Sequence, residues 1–293
     1  MGWWEDRSAL RETVAVVTGG AGGLGAAIVL DLAANGVRTA VIDVDADAAE
    51  RLASRLRADG HDAIVQSGDA RDAAALGELF RVVDDRWGRL DTLVNVVGGT
   101  FHAAFVDTSA KGWDAVIRAN LGTVLHSCAL AVPRMRRSGG GSIVNVTTIE
   151  AHRAAPGYAV YAAAKAAVEQ FGRTLAVEEA PHGIRVNNVA PDYVPTPNLE
   201  RISAGQSSLE TEVGVRTGIP MGRAGRVTDV SNCVVFLASA LSAYVTGTTL
   251  HPDGGTYASS GWLNWPGSGW GNNVPIHLVP VLEASSDGTD PAG

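Results

Sequence analysis

Thr18-Gly19-Gly20-Ala21-Gly22-Gly23-Leu24-Gly25 decides the reading of this chain. The stretch follows an apolar run at residues 13–18 and opens an apolar helical pattern at 26–35. Strand, glycine turn and helix in that order give the context of a phosphate-binding turn. Glycines let the backbone approach a pyrophosphate, and the helix N-terminus offers unpaired N–H groups with a partial positive charge. Gly19, Gly23, Leu24 and Gly25 are therefore candidate cofactor-binding residues.

Outward from the turn the same strand–helix unit repeats. Runs rich in Val and Ile at 38–43, 62–67, 90–94, 142–147, 184–189 and 248–251 read as further strands. Helical patterns at 46–58, 72–87, 113–135 and 158–180 lie between them. The strands are apolar throughout, which suits a parallel sheet covered on both faces. The repeat predicts an α/β fold in one domain over residues 1–256, a doubly wound seven-stranded parallel sheet with helices on both faces. Residues 192–226, rich in Pro, Gly and Ser, read as a long loop with room for one short helix. A loop of that length inside a compact domain is usually functional. Residues 257–293 form a C-terminal extension carrying Trp262, Trp265 and Trp270, too aromatic for a wholly disordered tail. Its last stretch, 285–293, reads as disordered.

Bulk properties agree with a compact protein: of 293 residues, 46% are hydrophobic and 18% charged. A formal net charge of −8 argues against sequence-independent nucleic-acid binding, which draws on Lys and Arg. The two cysteines, Cys128 and Cys233, read as reduced core thiols. No cluster of His, Cys and carboxylates has metal-ligand spacing, so no catalytic metal is expected. With no signal pattern at the N-terminus and no uninterrupted apolar stretch of ~18 to 20 residues, a soluble cytoplasmic protein without membrane partners is the expectation.

Asp43 ends the second strand, where a carboxylate can accept both hydroxyls of an adenosine ribose. It would repel a 2′-phosphate, and neither Gly20 nor Val44 offers a compensating cation, so NAD is expected over NADP. Asp45 reads as the cap of the following helix. Asp69, after the third strand, reads equally as an adenine contact or as an ordinary loop carboxylate.

Tyr161-Ala162-Ala163-Ala164-Lys165 lies early in a helical pattern, and a spacing of four puts Tyr161 and Lys165 on one face. A phenol is a poor base near neutrality, its ordinary pKa being ~10. A cation ~4 Å away at an effective dielectric of ~20 contributes about 4 kcal/mol, roughly three pKa units. That would bring Tyr161 close to the range where proton transfer works best.

Taken together, the glycine turn, Asp43, Asn95-Val96-Val97-Gly98, Asn120, Thr148, Tyr161 and Lys165 resemble the short-chain dehydrogenase/reductase family in order and spacing. The segments 191–196 and 253–255 are similar too, so the resemblance covers roughly residues 10–256. It implies a Rossmann fold, a nicotinamide cofactor and hydride transfer between a secondary alcohol and a ketone. Tyr161 would then be the general acid/base and a cofactor contact, and Lys165 would lower its pKa and hold the nicotinamide ribose. Thr148 would hydrogen-bond the reacting oxygen, and Asn120 would hold a water relaying protons to Lys165. Asn95, Gly98, Pro191 and Thr196 would join the cofactor site, Thr196 at the carboxamide. A homodimer or homotetramer is implied, with the helices from Trp113 and Tyr158 as contacts.

The chain departs from the family pattern at three points. Thr148 stands where Ser is usual, Val96 and Val97 replace Asn and Ala, and Asp192 stands where Gly usually follows Pro191. Asp192 would disfavour acidic substrates. Glu150, His152 and Tyr193 are candidate substrate residues, and the first two read equally as solvated loop. The tail tryptophans read either as a cover for the chain's own or a neighbouring subunit's active site or a subunit interface, suiting a bulky cyclic alcohol or ketone, or as surface packing. Two other functions fit the fold: a 3-oxoacyl-carrier reductase, which Asp43 and the overall acidity oppose, and a cofactor sensor without turnover, which Tyr161, Lys165 and Asn120 oppose.

Overall fold

The computed structural model describes residues 2–197, 199 and 211–281. After a short helix α1 (Trp3–Ser8) come β1 (Val14–Thr18), α2 (Gly23–Ala34), β2 (Arg38–Asp43), α3 (Ala46–Ala58), β3 (Ala63–Ser67), α4 (Ala73–Trp87) and β4 (Thr92–Asn95). The second half runs α5 (Ala110–Ile117), α6 (Thr123–Ser138), β5 (Gly141–Val146), α7 (Ala159–Glu179), β6 (Ile184–Val189), α8 (Glu212–Gly218), α9 (Val227–Ala238) and β7 (Thr249–Leu250). The sheet has seven strands in the order β3-β2-β1-β4-β5-β6-β7, and every neighbouring pair is parallel. The expected doubly wound sheet is therefore present. Its order reverses between β1 and β4, and in such sheets ligands bind in the crevice beyond the strand ends at that point.

Because side chains alternate along a strand, each strand feeds two apolar layers. Val14 and Val16 join Leu76, Phe80, Cys128, Met135 and Val168 of α4, α6 and α7 on one face. Ala15 and Val17 join Ile28, Leu32, Leu52, Val230 and Val234 of α2, α3 and α9 on the other. Neither face needs a polar row, which is why the strands read as continuous apolar runs.

Three elements differ from the sequence reading. Helix α2 begins at Gly23 rather than residue 26, because the glycines of the turn already form its first turn. The helix expected at 113–135 starts at Ala110, where Ser109 caps it by accepting the Gly112 N–H at 3.3 Å. A π turn at Arg118–Gly122 divides it from α6. Asn120 Nδ2 donates to the Val116 carbonyl at 2.9 Å, competing with the backbone ladder where the helix widens. By length and composition alone residues 110–138 could cross a membrane. In this fold Val124, Cys128, Ala131 and Met135 of that segment are buried against the sheet.

The extension forms α10 (Thr256–Ser259) and an antiparallel hairpin of β8 (Leu263–Trp265) and β9 (Gly269–Gly271). Trp265 Nε1 donates across it to the Gly271 carbonyl at 3.2 Å, while Trp262 and Trp270 stay half-exposed. The stretch expected to be disordered, 285–293, lies outside the described residues.

A continuous polar seam crosses the sheet. Ser127 Oγ donates to Asn95 Oδ1 (2.6 Å), Asn95 Nδ2 to Asn145 Oδ1 (2.9 Å), Asn145 Nδ2 to Asn188 Oδ1 (3.1 Å) and Asn188 Nδ2 to Thr249 Oγ1 (3.2 Å). The three asparagines and Ser127 are at most 2% exposed. Replacing Asn145 by Leu would strand an amide donor on Asn95 and an acceptor on Asn188. The expected result is a loss of roughly 2–4 kcal/mol, read from urea unfolding with an unchanged m-value. A loss under about 0.5 kcal/mol would mean that the seam adds nothing to stability.

Candidate active site

The glycine turn sits at the sheet's reversal point. Gly19 N–H donates to the Ile42 carbonyl at 2.8 Å, tying the turn to β2. Gly25 packs so closely that a Cβ would lie 2.0 Å from the Gly19 carbonyl oxygen, so no other residue fits. Gly22 caps α2 without a side chain, leaving the first-turn N–H groups directed at the turn. Thr196 closes over this end, its Cγ2 3.3 Å from where a Gly23 Cβ would stand.

Asp43 has a structural role that its sequence did not reveal. Oδ2 accepts the Ala21 N–H at 2.9 Å and Oδ1 accepts the Asp45 N–H at 3.0 Å. The carboxylate thus orders the loop beside it, and each oxygen keeps a further lone pair for a ligand. Asp45 is the helix cap expected, accepting the Ala48 N–H at 2.9 Å. Asp69 is bound by Arg71 through both the backbone N–H (2.9 Å) and the guanidinium (2.8 Å). That ion pair holds its carboxyl below the usual range, so Asp69 is a paired loop carboxylate rather than a free one.

The chemical residues converge from β5, α7 and the π turn. Thr148 follows β5 in extended backbone, and its hydroxyl accepts the Glu150 N–H at 3.3 Å. The Thr148 hydroxyl also lies near the Tyr161 phenol, where it favours the phenol's ionised form. Lys165 is buried one helical turn on, with Nζ 5.9 Å from the centre of the Tyr161 ring and donating to the Val146 carbonyl at 2.9 Å. Asn120 Nδ2 also donates to the Gly99 carbonyl at 2.8 Å, and its Oδ1 accepts the Gly99 N–H at 3.3 Å. Gly98 is pinched between them: a Cβ there would stand 2.7 Å from Asn120 Oδ1 and 3.1 Å from Lys165 Nζ. Asn95 does not reach this end through its side chain, which is committed to the polar seam.

The electrostatics correct the sequence reading. Burial pushes the Tyr161 phenol up to about 12, the opposite of the expected shift towards neutrality, and Glu150 adds to the rise. Burial also brings Lys165 down to about 8, against the pull of Glu169. The earlier expectation assumed a cation ~4 Å away, whereas here desolvation of both groups outweighs their mutual effect.

Around the pair lies a set of residues that the sequence did not single out. Glu169, one turn beyond Lys165 and 2% exposed, accepts from Thr147 Oγ1 at 2.8 Å and pairs with His152 Nε2 at 2.9 Å. A carboxylate four residues after the lysine in an apolar helix was the available signal. Arg153 bridges Glu150 (2.8 Å) and Asp192 (3.3 Å). Ile149 N–H donates to the Pro191 carbonyl at 3.1 Å, which fastens the segment after Pro191 to the segment carrying Thr148. Beside them a cavity of about 440 Å³ is lined by His152, Arg153, Asp192, Tyr257 and Leu263, among others. Leu263 and Tyr257 belong to the extension, so that segment borders the cavity, although its tryptophans are not among the lining residues. Tyr193 does not line it either; its carbonyl accepts the Gly225 N–H at 2.9 Å.

Comparison with known proteins agrees with this geometry. Residues 19–257 match a family model described as enoyl-(acyl carrier protein) reductase. The chain is 36% identical over 250 residues to the short-chain reductase NovJ of Streptomyces niveus, covering 84% of this chain and 94% of the relative. The chain belongs to the short-chain dehydrogenase/reductase family. A second member, the 2,5-dichloro-2,5-cyclohexadiene-1,4-diol dehydrogenase LinX of Sphingobium indicum, is 33% identical over 242 residues, 83% of this chain and 95% of that one. Among solved structures of the family, that of levodione reductase superposes with a TM-score of 0.79 at 28% identity, over 85% of this chain and 99% of the other. The protein is accordingly an oxidoreductase acting on CH–OH or carbonyl groups, and its fold binds a nicotinamide cofactor.

Proposed function

We propose that this reductase/dehydrogenase uses NAD(H) to interconvert a secondary alcohol and a ketone on a cyclic carbon skeleton. The observation that carries the reading is the convergence of Tyr161 and the buried Lys165 on one face of α7, with Nζ 5.9 Å from the centre of the Tyr161 ring and the Thr148 hydroxyl near the phenol. The cofactor supplies or accepts the hydride at its nicotinamide ring. The chain's residues handle the proton. Thr148 orients the reacting oxygen and stabilises its developing charge. Tyr161 takes the alcohol proton in oxidation and returns it in reduction. Lys165 holds positive charge beside the phenolate formed when Tyr161 yields a proton. Asn120, pinned by Gly99 and Val116, keeps the π turn and the Gly98 approach in place. The cavity volume and the cyclohexadiene-diol named for LinX support a cyclic substrate. An acidic acyl carrier fits poorly against a chain of net charge −8. A cytoplasmic setting suits the two free cysteines.

Asp43 supports NAD over NADP. Beside its carboxylate, a 2′-phosphate meets a like charge worth about 1–4 kcal/mol at contact distances. Asp43→Ser is expected to raise kcat/KM for NADP by about 10-fold or more and to lower it for NAD, because the Ala21 and Asp45 anchors are lost as well. Initial rates with both cofactors give the answer; a wild-type preference for NADP would refute the assignment.

A homodimer or homotetramer is the assembly we infer. Ile117, Leu121, Ala159, Val160 and Ala163 line an apolar surface groove of about 350 Å³ between the π-turn region and α7. Val160→Glu would place a charge in it and is expected to shift the sedimentation profile towards monomer. An unchanged profile would move the contact elsewhere.

A further inference from the structure

Asp192 occupies the position after Pro191, where the family pattern has glycine, and its side chain is 10% exposed. The carboxylate is held from one side only. Arg153 Nη2 donates to Oδ1 at 3.3 Å, and the same guanidinium donates to Glu150 at 2.8 Å. Oδ2 is buried and has no hydrogen-bond partner among the described residues. The Thr256 hydroxyl lies near enough to favour the ionised carboxylate, and it also reaches the Asp253 carbonyl at 2.8 Å. A buried acceptor left unsatisfied is costly, and a charged one more so, which makes it a marker for a missing donor. The donor has a place to come from: Asp192 lines the cavity of about 440 Å³ together with His152, Arg153, Thr256 and Tyr257. Thr148 and Tyr161 do not line that cavity, but the Ile149–Pro191 hydrogen bond ties the segment carrying Thr148 to the one carrying Asp192.

We propose that Asp192 is a specificity residue that accepts a hydrogen bond from a second hydroxyl of the substrate, so that the preferred substrate is a cyclic diol or the matching hydroxyketone rather than a mono-alcohol. The charges around the site select the chemistry. A substrate carboxylate would face Asp192 and Glu150, and an ammonium would meet their attraction together with the repulsion of Arg153. A neutral O–H donor meets neither repulsion, and it is the group that Oδ2 lacks. Arg153 is a positioning residue here, because its contact with Oδ1 fixes the carboxylate at the cavity wall. Burial raises the Asp192 carboxyl above its usual range despite Arg153, as a carboxylate short of donors would behave. The inference rests on the reading of Tyr161 as the proton-transferring group.

The test compares cyclohexanol with the cis and trans cyclohexane-1,2-, 1,3- and 1,4-diols, using wild type, Asp192→Asn and Asp192→Ala with NAD. Hydrogen bonds to charged groups contribute about 1.5–3 kcal/mol, so the best diol should exceed cyclohexanol in kcat/KM by on the order of 10- to 100-fold in wild type. Asp192→Ala should bring that ratio near unity, through a rise in KM for the diol that exceeds any change in the kinetics of cyclohexanol. Asp192→Asn, which keeps an acceptor oxygen but no charge, should fall between them, and thermal melts of both variants establish that they are folded. Turnover of cyclohexanol without any diol advantage overturns this inference alone. Equal loss on both substrates in Asp192→Ala also overturns it, as does a stronger preference for trans-2-aminocyclohexanol than for any diol. Absence of turnover on every alcohol, with NADH still bound by fluorescence, overturns the reading of Tyr161 as well.

Discussion

Tyr161→Phe is expected to lower kcat by about 10²–10⁴-fold in both directions while leaving NADH binding by fluorescence titration nearly unchanged. Phenylalanine fills the same buried volume but has no hydroxyl for Thr148 and no proton for the substrate oxygen. The wild type should also show a directional pH dependence. With the phenol pushed up to about 12, Tyr161 is protonated at neutral pH and is equipped as an acid before it is equipped as a base. Ketone reduction should therefore be level through neutrality and fall at high pH, whereas alcohol oxidation should rise with pH. A Tyr161→Phe enzyme within tenfold of wild type, or oxidation that falls between pH 7 and 10, would assign the proton transfer to another group.

Lys165→Met should abolish most turnover and yet make the protein more stable near neutral pH. The lysine is 4% exposed and its pKa falls from 10.5 to about 8, because burial disfavours the ammonium. In the pH window between those two values the unfolded chain binds more protons than the native one, so this group makes stability rise with pH there. Below about 8 the whole burial penalty is present. Methionine keeps the stem and discards the charge, so a gain on the order of 1–3 kcal/mol at pH 7 is expected, along with loss of the rise between pH 8 and 10. Tyr161 acts with the opposite sign only above its ordinary pKa of 10, and so does not confuse the lower window. Urea midpoints at several pH values decide the matter. A less stable Lys165→Met at pH 7 would show that the bond to Val146 and the attraction of Glu169 outweigh burial. A catalytic group that destabilises its own fold is a familiar trade between activity and stability.

What could be read from the chain beforehand follows from where the information is local. The glycine turn was legible because close backbone approach is a demand that only glycine meets, as at Gly25. The strands were legible because both faces of the sheet are covered, and Asp45 announced itself as a cap by its place before a helix. The π turn was hidden, since the apolar period runs on through Asn120 and only its side-chain bond to Val116 marks the place. The ionisation of Tyr161 and Lys165 was misjudged because burial is a tertiary property that spacing does not carry. Glu169, Arg153 and the pairing of Asp69 with Arg71 depend on which side chains meet after folding. Asp192 was visible as a departure from the family pattern, but its single bond to Arg153 and its unmet oxygen were not.

The asparagine seam has a consequence for how such a sheet can change over generations. Each amide gives its proton to the next, so no position can be altered alone without stranding a neighbour on either side. Exchanging all three asparagines for apolar residues of similar size removes donors and acceptors together, and such complete exchanges can be nearly neutral. Between the two solutions lie only intermediates with an orphaned group in the core. Asn95, Asn145 and Asn188 should therefore be inherited as a block, and lineages should differ by having the whole seam or none of it.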